Sequence, residues 1–419
     1  MNISILTTGT RGDTQPYLAL GLALKQAGHA VRIAAFENFE AWVKAYQLDF
    51  FPIHGNVAQV ASRLGQNGQN VDNPLKFLLS FNQLKGLVTG LQKEFFNACV
   101  GADAVIYHPG AAVGYFAAQQ LKIPAILGSP YPFTPTRDYP SLIFYHLPRL
   151  GKTYNYLTHK IQEQIFWFAS SSAIRDFWKK EFGRLPEDFG CPYPRQVTRR
   201  QPTVISYSNY VFPRPTNWPE HVYTAGYWFL DEEPGWQPAA GLMDFLQAGK
   251  PPVYVGFGSV GNPTRAAQTT QLVIEALKRS GQRGVLATGW NAMTRVEEPV
   301  KDMFFLDSAP HSWLFPRMAA VVHHGGAGTT AAGFRAGVAS VILPFGNDQF
   351  AWGRRTYELG VSARPIPQKN LTVENLSSAI RAALAPAVQS AASELGTKIR
   401  SERGAEKAAQ IVSESISKV

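Results

Sequence analysis

Residues 319–337 read AAVVHHGGAGTTAAGFRAG, and they decide the fold. An aliphatic run ends at Val322, a His pair and three glycines (Gly325, Gly326, Gly328) follow, and a helical pattern begins near Gly328. Strand, glycine turn and helix in that order are the repeating unit of a doubly wound parallel sheet. Without side chains the turn lets backbone N–H groups approach a ligand, and the helix N-terminus adds partial positive charge. The stretch reads as an anion cradle in which His324 donates to a phosphate oxygen and Thr329 and Thr330 add N–H and hydroxyl donors. A plain tight turn with a capping threonine would need neither the second His nor the third Gly.

The same rhythm runs outward in both directions. Val253–Phe257, Gly284–Ala287, Met303–Leu306 and Ser340–Leu343 are predicted strands around the cradle, each separated from the next by a helical stretch. Ile3–Thr7, Val31–Ala35, Ala104–Tyr107, Ala125–Leu127 and Val204–Ser206 repeat the pattern in the first half, with a helix over Gln15–Ala27 capped by Thr14. Proline is frequent between Phe212 and Pro252, as in a chain crossing between domains. The predicted organisation is α/β: two Rossmann-like doubly wound domains, 1–215 and 251–386, facing across a cleft. A linker over 216–250 joins them, and a helical tail over 387–419 packs back towards the first domain.

Composition narrows the class. The chain has 419 residues, 45% hydrophobic and 17% charged, which excludes disorder and coiled coil. Two cysteines, Cys99 and Cys191, support neither a disulfide framework nor a zinc site and point to a reducing compartment. The N-terminus lacks the basic region of a signal peptide, and no apolar run is long enough to span a bilayer. A cytoplasmic protein is expected, at most peripheral at the inner face of a membrane. Lys and Arg number 40 against 30 Asp and Glu, a net charge of +10. Half of that excess lies between Arg149 and Arg200, and no nucleic-acid module signature accompanies it. In this stretch Phe166, Trp167, Phe168, Phe177 and Trp178 stand beside Lys179 and Lys180. They read either as a helix lying on an anionic membrane surface or as the core side of an ordinary amphipathic pair.

Further loops after predicted strands carry chemistry. In LPFGNDQFAWGRR (343–355), Asp348 accepts and Gln349 both donates and accepts, a complement to adjacent sugar hydroxyls; the plain alternative for Asp348 is a helix N-cap. In TTGTRGDTQP (7–16), Asp13 sits at the amino end of a helix, whose dipole should keep it ionised, so it is a usable general base or another N-cap. Arg11 either meets an anion or braces the loop. GFGSVG (256–261) matches a dinucleotide fingerprint, but the acid expected after the next strand is missing, which argues against a dehydrogenase. Ser259 is better placed as a donor to a phosphate. His311 follows a strand and reads as a ribose or base contact or as a buried polar group, and His108, also at a strand end, faces an acceptor or Asp13. No Asp has another Asp two positions on, so no metal is called for, and His324 with the helix dipole serves as the cation equivalent.

Six ordered blocks, GTRGDTQPYLAL, YPFTPTRDYP, FGSV, APHSWLFP, HHGGAGTT and PFGNDQFAWGRR, spread over residues 9–355, resemble the sterol 3-β-glucosyltransferase branch of the nucleotide-sugar glycosyltransferases with the GT-B fold. The resemblance implies an acceptor site mainly in the first domain, a UDP-sugar site mainly in the second, UDP-glucose as co-substrate without a cofactor, and inversion at the anomeric carbon. Position by position it implies Asp13 as catalytic base with Thr10 and Arg11 beside the donor. Ser308, Ala309 and His311 would flank the nucleoside, His324, Ala327, Gly328 and Thr329 the diphosphate, and Asp348 and Gln349 the sugar. Aromatic residues of the first half, Tyr131 and Phe133 among them, suggest an apolar hydroxylated acceptor or simply core. The extra N-terminal modules of fungal relatives have no counterpart, which leaves a sterol, another lipid alcohol or a natural product as acceptor. The alternatives are a dTDP- or UDP-sugar natural-product transferase and a catalytically silent sugar-nucleotide-binding protein.

Overall fold

Four consecutive buried residues, Ile3–Leu6, make β1 (Asn2–Leu6) an interior strand of a parallel sheet, covered on both faces and flanked in register by β2 (Ala30–Phe36) and β4 (Ala104–Tyr107). A computed structural model describes residues 1–55, 85–233, 235–258, 263–289, 292–296, 300–346 and 348–417. With β3 (Asp49–Ile53), β5 (Ala125–Ser129), β6 (Thr203–Ile205) and β7 (Val222–Thr224), the first sheet runs β3-β2-β1-β4-β5-β6-β7, every pair parallel. The second sheet runs β10-β9-β8-β11-β12, also all parallel. It is built from β8 (Val253–Gly256), β9 (Gly284–Ala287), β10 (Met303–Leu306), β11 (Ala320–His323) and β12 (Ser340–Ile342). Strand order reverses between β1 and β4 in one sheet and between β8 and β11 in the other. In open α/β sheets such switch points open a crevice at the carboxyl ends of the strands.

Two units result: Met1–Leu230 with Glu402–Val419, and Asp231–Ser401. Two strands escape the sequence reading. β3 carries Pro52, which is tolerated because β3 is an edge strand, and β7 lies inside the stretch read as linker. The predicted tail divides at Ser401–Arg403. Helix Pro386–Arg400 stays with the second unit, while helix Gly404–Ile416 packs on helix Arg11–Gln26, where Ser413 Oγ lies 2.8 Å from His29 Nε2. The interior of the first unit is a continuous apolar cluster that includes Ile3, Ile5, Leu20, Ile106 and Val412.

Helix Lys152–Phe182 is one continuous element of 31 residues. Phe177 and Trp178 are buried and Phe166 and Trp167 pack against the core, so four of the five aromatics read as membrane candidates belong to the interior. Phe168 alone of the five is exposed. Among the described residues no helix is long and apolar enough to cross a membrane.

Candidate functional site

In the first unit the loop after β1 carries the carboxylate. Helix Arg11–Gln26 begins earlier than its periodicity suggests, with Thr10 as N-cap, so Thr14 is buried inside the helix and Asp13 is its third residue. Asp13 reaches back over the helix end. The Thr10 N–H donates to Asp13 Oδ2 at 2.8 Å and the Thr10 hydroxyl donates to the same oxygen at 3.0 Å, leaving Oδ1 free of both bonds. Gly9, at φ +111°, makes room for this, since a Cβ there would lie 2.4 Å from Oδ2. Burial raises the Asp13 pKa above the ordinary 3.8, and the two Thr10 hydrogen bonds lower it by less. This reverses the expectation from the dipole alone, because desolvation outweighs it. Arg11 stacks its guanidinium on Trp42, 4.5 Å from the ring centroid, and so braces the loop.

His108 follows β4 across the switch point. Its Nδ1 accepts from the Gly110 N–H at 2.9 Å, while the buried Nε2 has no partner among the described residues. Burial pushes its pKa down to about 3, so the ring is neutral with the proton on Nε2. Among the described residues no hydrogen bond joins His108 to Asp13. Tyr17 lies one turn after Asp13 and meets His108 edge-on at 5.8 Å, and His108 meets Tyr131 at 6.2 Å. Phe133 is only 1% exposed and sits edge-on against Tyr193 at 4.8 Å, which makes it the backing of this wall and not its surface. The sequence reading missed Tyr17, whose hydroxyl donates to the Gly128 carbonyl at 2.6 Å, because a buried Tyr on a helix carries no signal of its own.

In the second unit β11 ends at His323 and helix Ala327–Ala336 starts after Gly326, an N-cap with no side chain to satisfy the first-turn N–H groups. His323 is fully buried, and its Nδ1 accepts from the Gly325 N–H at 3.1 Å, fixing the turn. His324 folds over the helix end: a Cβ on Gly326 would lie 2.5 Å from its Nε2, and one on Gly258, after β8, 3.1 Å from its Cε1. Among the described residues His324 Nδ1 and Thr330 Oγ1 are buried without hydrogen-bond partners. Burial lowers the His324 pKa to about 4, so the imidazole is neutral near pH 7. It is a neutral donor and not the cation equivalent expected; the positive potential belongs to the helix terminus.

The remaining sequence-derived residues distribute as follows. Ala327, Gly328 and Thr329 form the first helical turn. His311 stacks on Phe315 at 4.2 Å and joins His324 in opposing protonation of His323, so these three imidazoles share one neighbourhood. Ser308 and Ala309 follow the edge strand β10, Ser308 exposed and Ala309 packed on the core. Asp348 is the N-cap of helix Gln349–Glu358 by position, but its Oδ2 accepts from Trp352 Nε1 at 3.1 Å instead of capping the backbone. Gln349 Oε1 accepts from the Phe345 N–H at 2.8 Å and the Gly346 N–H at 3.4 Å. Its carbonyl therefore shapes its own loop, and its amide nitrogen is what it can offer a ligand. Ser259 lies outside the described residues.

Two all-parallel sheets, each with polar residues at the loops of its switch point, define an α/β architecture of two doubly wound units. Residues 3–140 match the Glycosyltransferase family 28 N-terminal domain and residues 287–417 the Erythromycin biosynthesis protein CIII-like C-terminal domain. The glycotransferase of kitacinnamycin shares the fold, with a TM-score of 0.72 at 19% identity over 99% of each chain. The chain has the GT-B fold, carries these two glycosyltransferase-type domains and is similar to the sterol 3-β-glucosyltransferases. It is 35% identical to a sterol 3-β-glucosyltransferase of Arabidopsis thaliana, over 96% of this chain and 66% of that one. It is 36% identical to the sterol 3-β-glucosyltransferase of Emericella nidulans, over 98% of this chain and 30% of that one. The chain thus spans just under two thirds of the plant relative and less than a third of the fungal one.

Proposed function

We propose that this protein transfers a hexosyl group, glucose from UDP-glucose, to the hydroxyl of a sterol or a similar apolar alcohol, with inversion at the anomeric carbon. The observation that carries the reading is the uncapped helix terminus after β11 with His324 folded over it. First-turn backbone N–H groups and a neutral imidazole lie together there, the arrangement that takes up a phosphate group at a helix terminus. The similarity to sterol glucosyltransferases supports the sugar and the acceptor class.

In the reaction Asp13 Oδ1 accepts the proton of the acceptor hydroxyl while that oxygen bonds to the anomeric carbon. The bond from this carbon to the diphosphate breaks on the opposite face. Thr10 holds Oδ2 and so sets the orientation of Oδ1. Developing charge on the leaving diphosphate is met by the N–H groups of Ala327, Gly328 and Thr329 and by His324, donors fixed before the reaction begins. His311, stacked on Phe315, offers a platform for the nucleoside, and the Gln349 amide meets a sugar hydroxyl.

The test is incubation with UDP-glucose and a panel of sterols, other lipid alcohols and polyphenols, with the product's anomeric linkage read by NMR. A β-glucoside of an apolar alcohol supports the reading; a retained α-linkage, or UDP binding with no turnover on any alcohol, overturns it. The match of residues 287–417 to the Erythromycin biosynthesis protein CIII-like domain favours a second reading, a natural-product transferase using a dTDP-sugar. Stronger competition by dTDP than by UDP would select it.

A further inference from the structure

Helix Lys152–Phe182 is built inside out over its first half. Asn155, Thr158, His159, Gln162 and Glu163 are buried, while Leu157, Ile161 and Phe168 are 53%, 46% and 56% exposed. The inward polar face has a structural reason: it holds the backbone of the preceding loop. Asn155 Nδ2 donates to the Arg137 carbonyl at 2.9 Å, Thr158 Oγ1 accepts from the Ser141 N–H at 2.9 Å, and His159 Nε2 lies 3.1 Å from the Tyr139 carbonyl. The outward apolar face has no such reason.

Leu157, Ile161, Phe168, Arg175 and Lys179 are spaced 4, 7, 7 and 4 residues apart, which keeps all five on one stripe of a 3.6-residue helix. The stripe carries the apolar side chains, with the exposed Gln164 among them, over about 16 Å and is cationic over its last turns, a further 16 Å or so along the axis. Leu150, 70% exposed, lies just before the helix and extends the apolar end. The acidic residues of the helix are each paired: Glu163 is buried against Lys160, Asp176 pairs with Arg175 at 3.6 Å from its own side of the stripe, and Glu181 pairs with Lys93, which leaves Lys179 as the stripe's unpaired cation among the described residues.

We propose that this stripe docks the protein on an anionic lipid bilayer. The apolar side chains enter the boundary between headgroups and acyl chains, and Arg175 and Lys179 meet anionic headgroups. A second copy fits the stripe poorly. In a parallel pairing cations face cations, and in an antiparallel pairing they face Leu157 and Ile161. The inference does not rest on the transferase reading, since the stripe contains none of the residues assigned to catalysis or donor binding.

The experiment is flotation of the full chain with phosphatidylcholine vesicles containing or lacking phosphatidylserine. Three proteins are compared: the wild type, Leu157→Ser/Ile161→Ser/Phe168→Ser, and Arg175→Gln/Lys179→Gln. The wild type should bind the anionic vesicles. The apolar variant should lose at least about tenfold in affinity for them. The charge variant should bind them about 25-fold more weakly, at about fivefold per cation, and bind neutral vesicles as the wild type does. All three should melt alike and turn over a detergent-dispersed acceptor equally. The charge variant keeps the proposal testable if the triple variant fails to fold. Wild-type indifference to both vesicles overturns the proposal, as does undiminished binding by either variant. So does concentration-dependent dimerisation that the apolar variant abolishes.

Discussion

Thr10 grips Asp13 by one oxygen: its N–H at 2.8 Å and its hydroxyl at 3.0 Å both donate to Oδ2. The carboxylate is thereby oriented without being fully satisfied, and burial raises its pKa despite these two donors. A base held in this way has both a fixed lone pair and a higher proton affinity than an exposed aspartate.

Replacing Asp13 with Asn preserves an acceptor for the Thr10 N–H and removes the carboxylate proposed as the base. Turnover should fall by about 10²- to 10⁴-fold, while the UDP dissociation constant measured by calorimetry stays within about twofold. Equal losses in both quantities would assign Asp13 to donor binding instead.

Thr10→Val removes the hydroxyl donor and keeps the N–H. Because that hydrogen bond lowers the Asp13 pKa, its loss raises it further. The acid limb of the kcat/KM profile should therefore move to higher pH in the variant. An unmoved limb would detach it from this carboxylate.

Gly325 and Gly326 should respond differently to alanine. Gly325 has φ +89°, and a Cβ there would lie 2.7 Å from Ile342 Cγ2, so Gly325→Ala should destabilise the protein by about 2 kcal/mol or more. Gly326 has an ordinary φ of −62°, and its Cβ would displace only the His324 ring. Gly326→Ala should leave the melting temperature nearly unchanged and weaken UDP binding about tenfold, the worth of one displaced hydrogen-bond donor.

The buried imidazoles make the fold acid-sensitive. His108 titrates at about 3 and His159 and His324 at about 4 when folded, all below the ordinary 6.5 of the unfolded chain. As pH falls below about 6.5 the unfolded state takes up protons that the native state refuses, so stability is lost with falling pH until these folded-state values are reached. Urea unfolding should show a loss of about 1 kcal/mol per pH unit for each such histidine across that window. His159→Gln should flatten the dependence for the first unit alone.

Much of this was legible because glycine and proline punctuate the chain where it must turn. The two loops at the switch points, around Asp13 and His324, follow strands whose aliphatic runs announce them, and the resemblance to glycosyltransferases rests on the same blocks. Protonation was not legible: neither the neutrality of His324 nor the raised Asp13 follows from sequence, because both depend on how much water the fold removes. β7 was hidden inside a proline-rich stretch, since three residues, Val222–Thr224, are too few to show a period. The polarity of helix Lys152–Phe182 misleads because its buried face serves a loop backbone that sequence patterning does not reveal. Gln349 read as a sugar ligand, and only coordinates show that its carbonyl is committed to Phe345 and Gly346.

The return of helix Gly404–Ile416 to helix Arg11–Gln26 has a consequence for biosynthesis. The element that carries Asp13 is translated nearly four hundred residues before the partner that covers its outer side. The second unit, continuous in sequence, can fold while the chain is still growing, whereas the first must wait with an uncovered helix. Truncation before residue 404 should therefore yield a chain whose second half is ordered and whose first half is captured by chaperones.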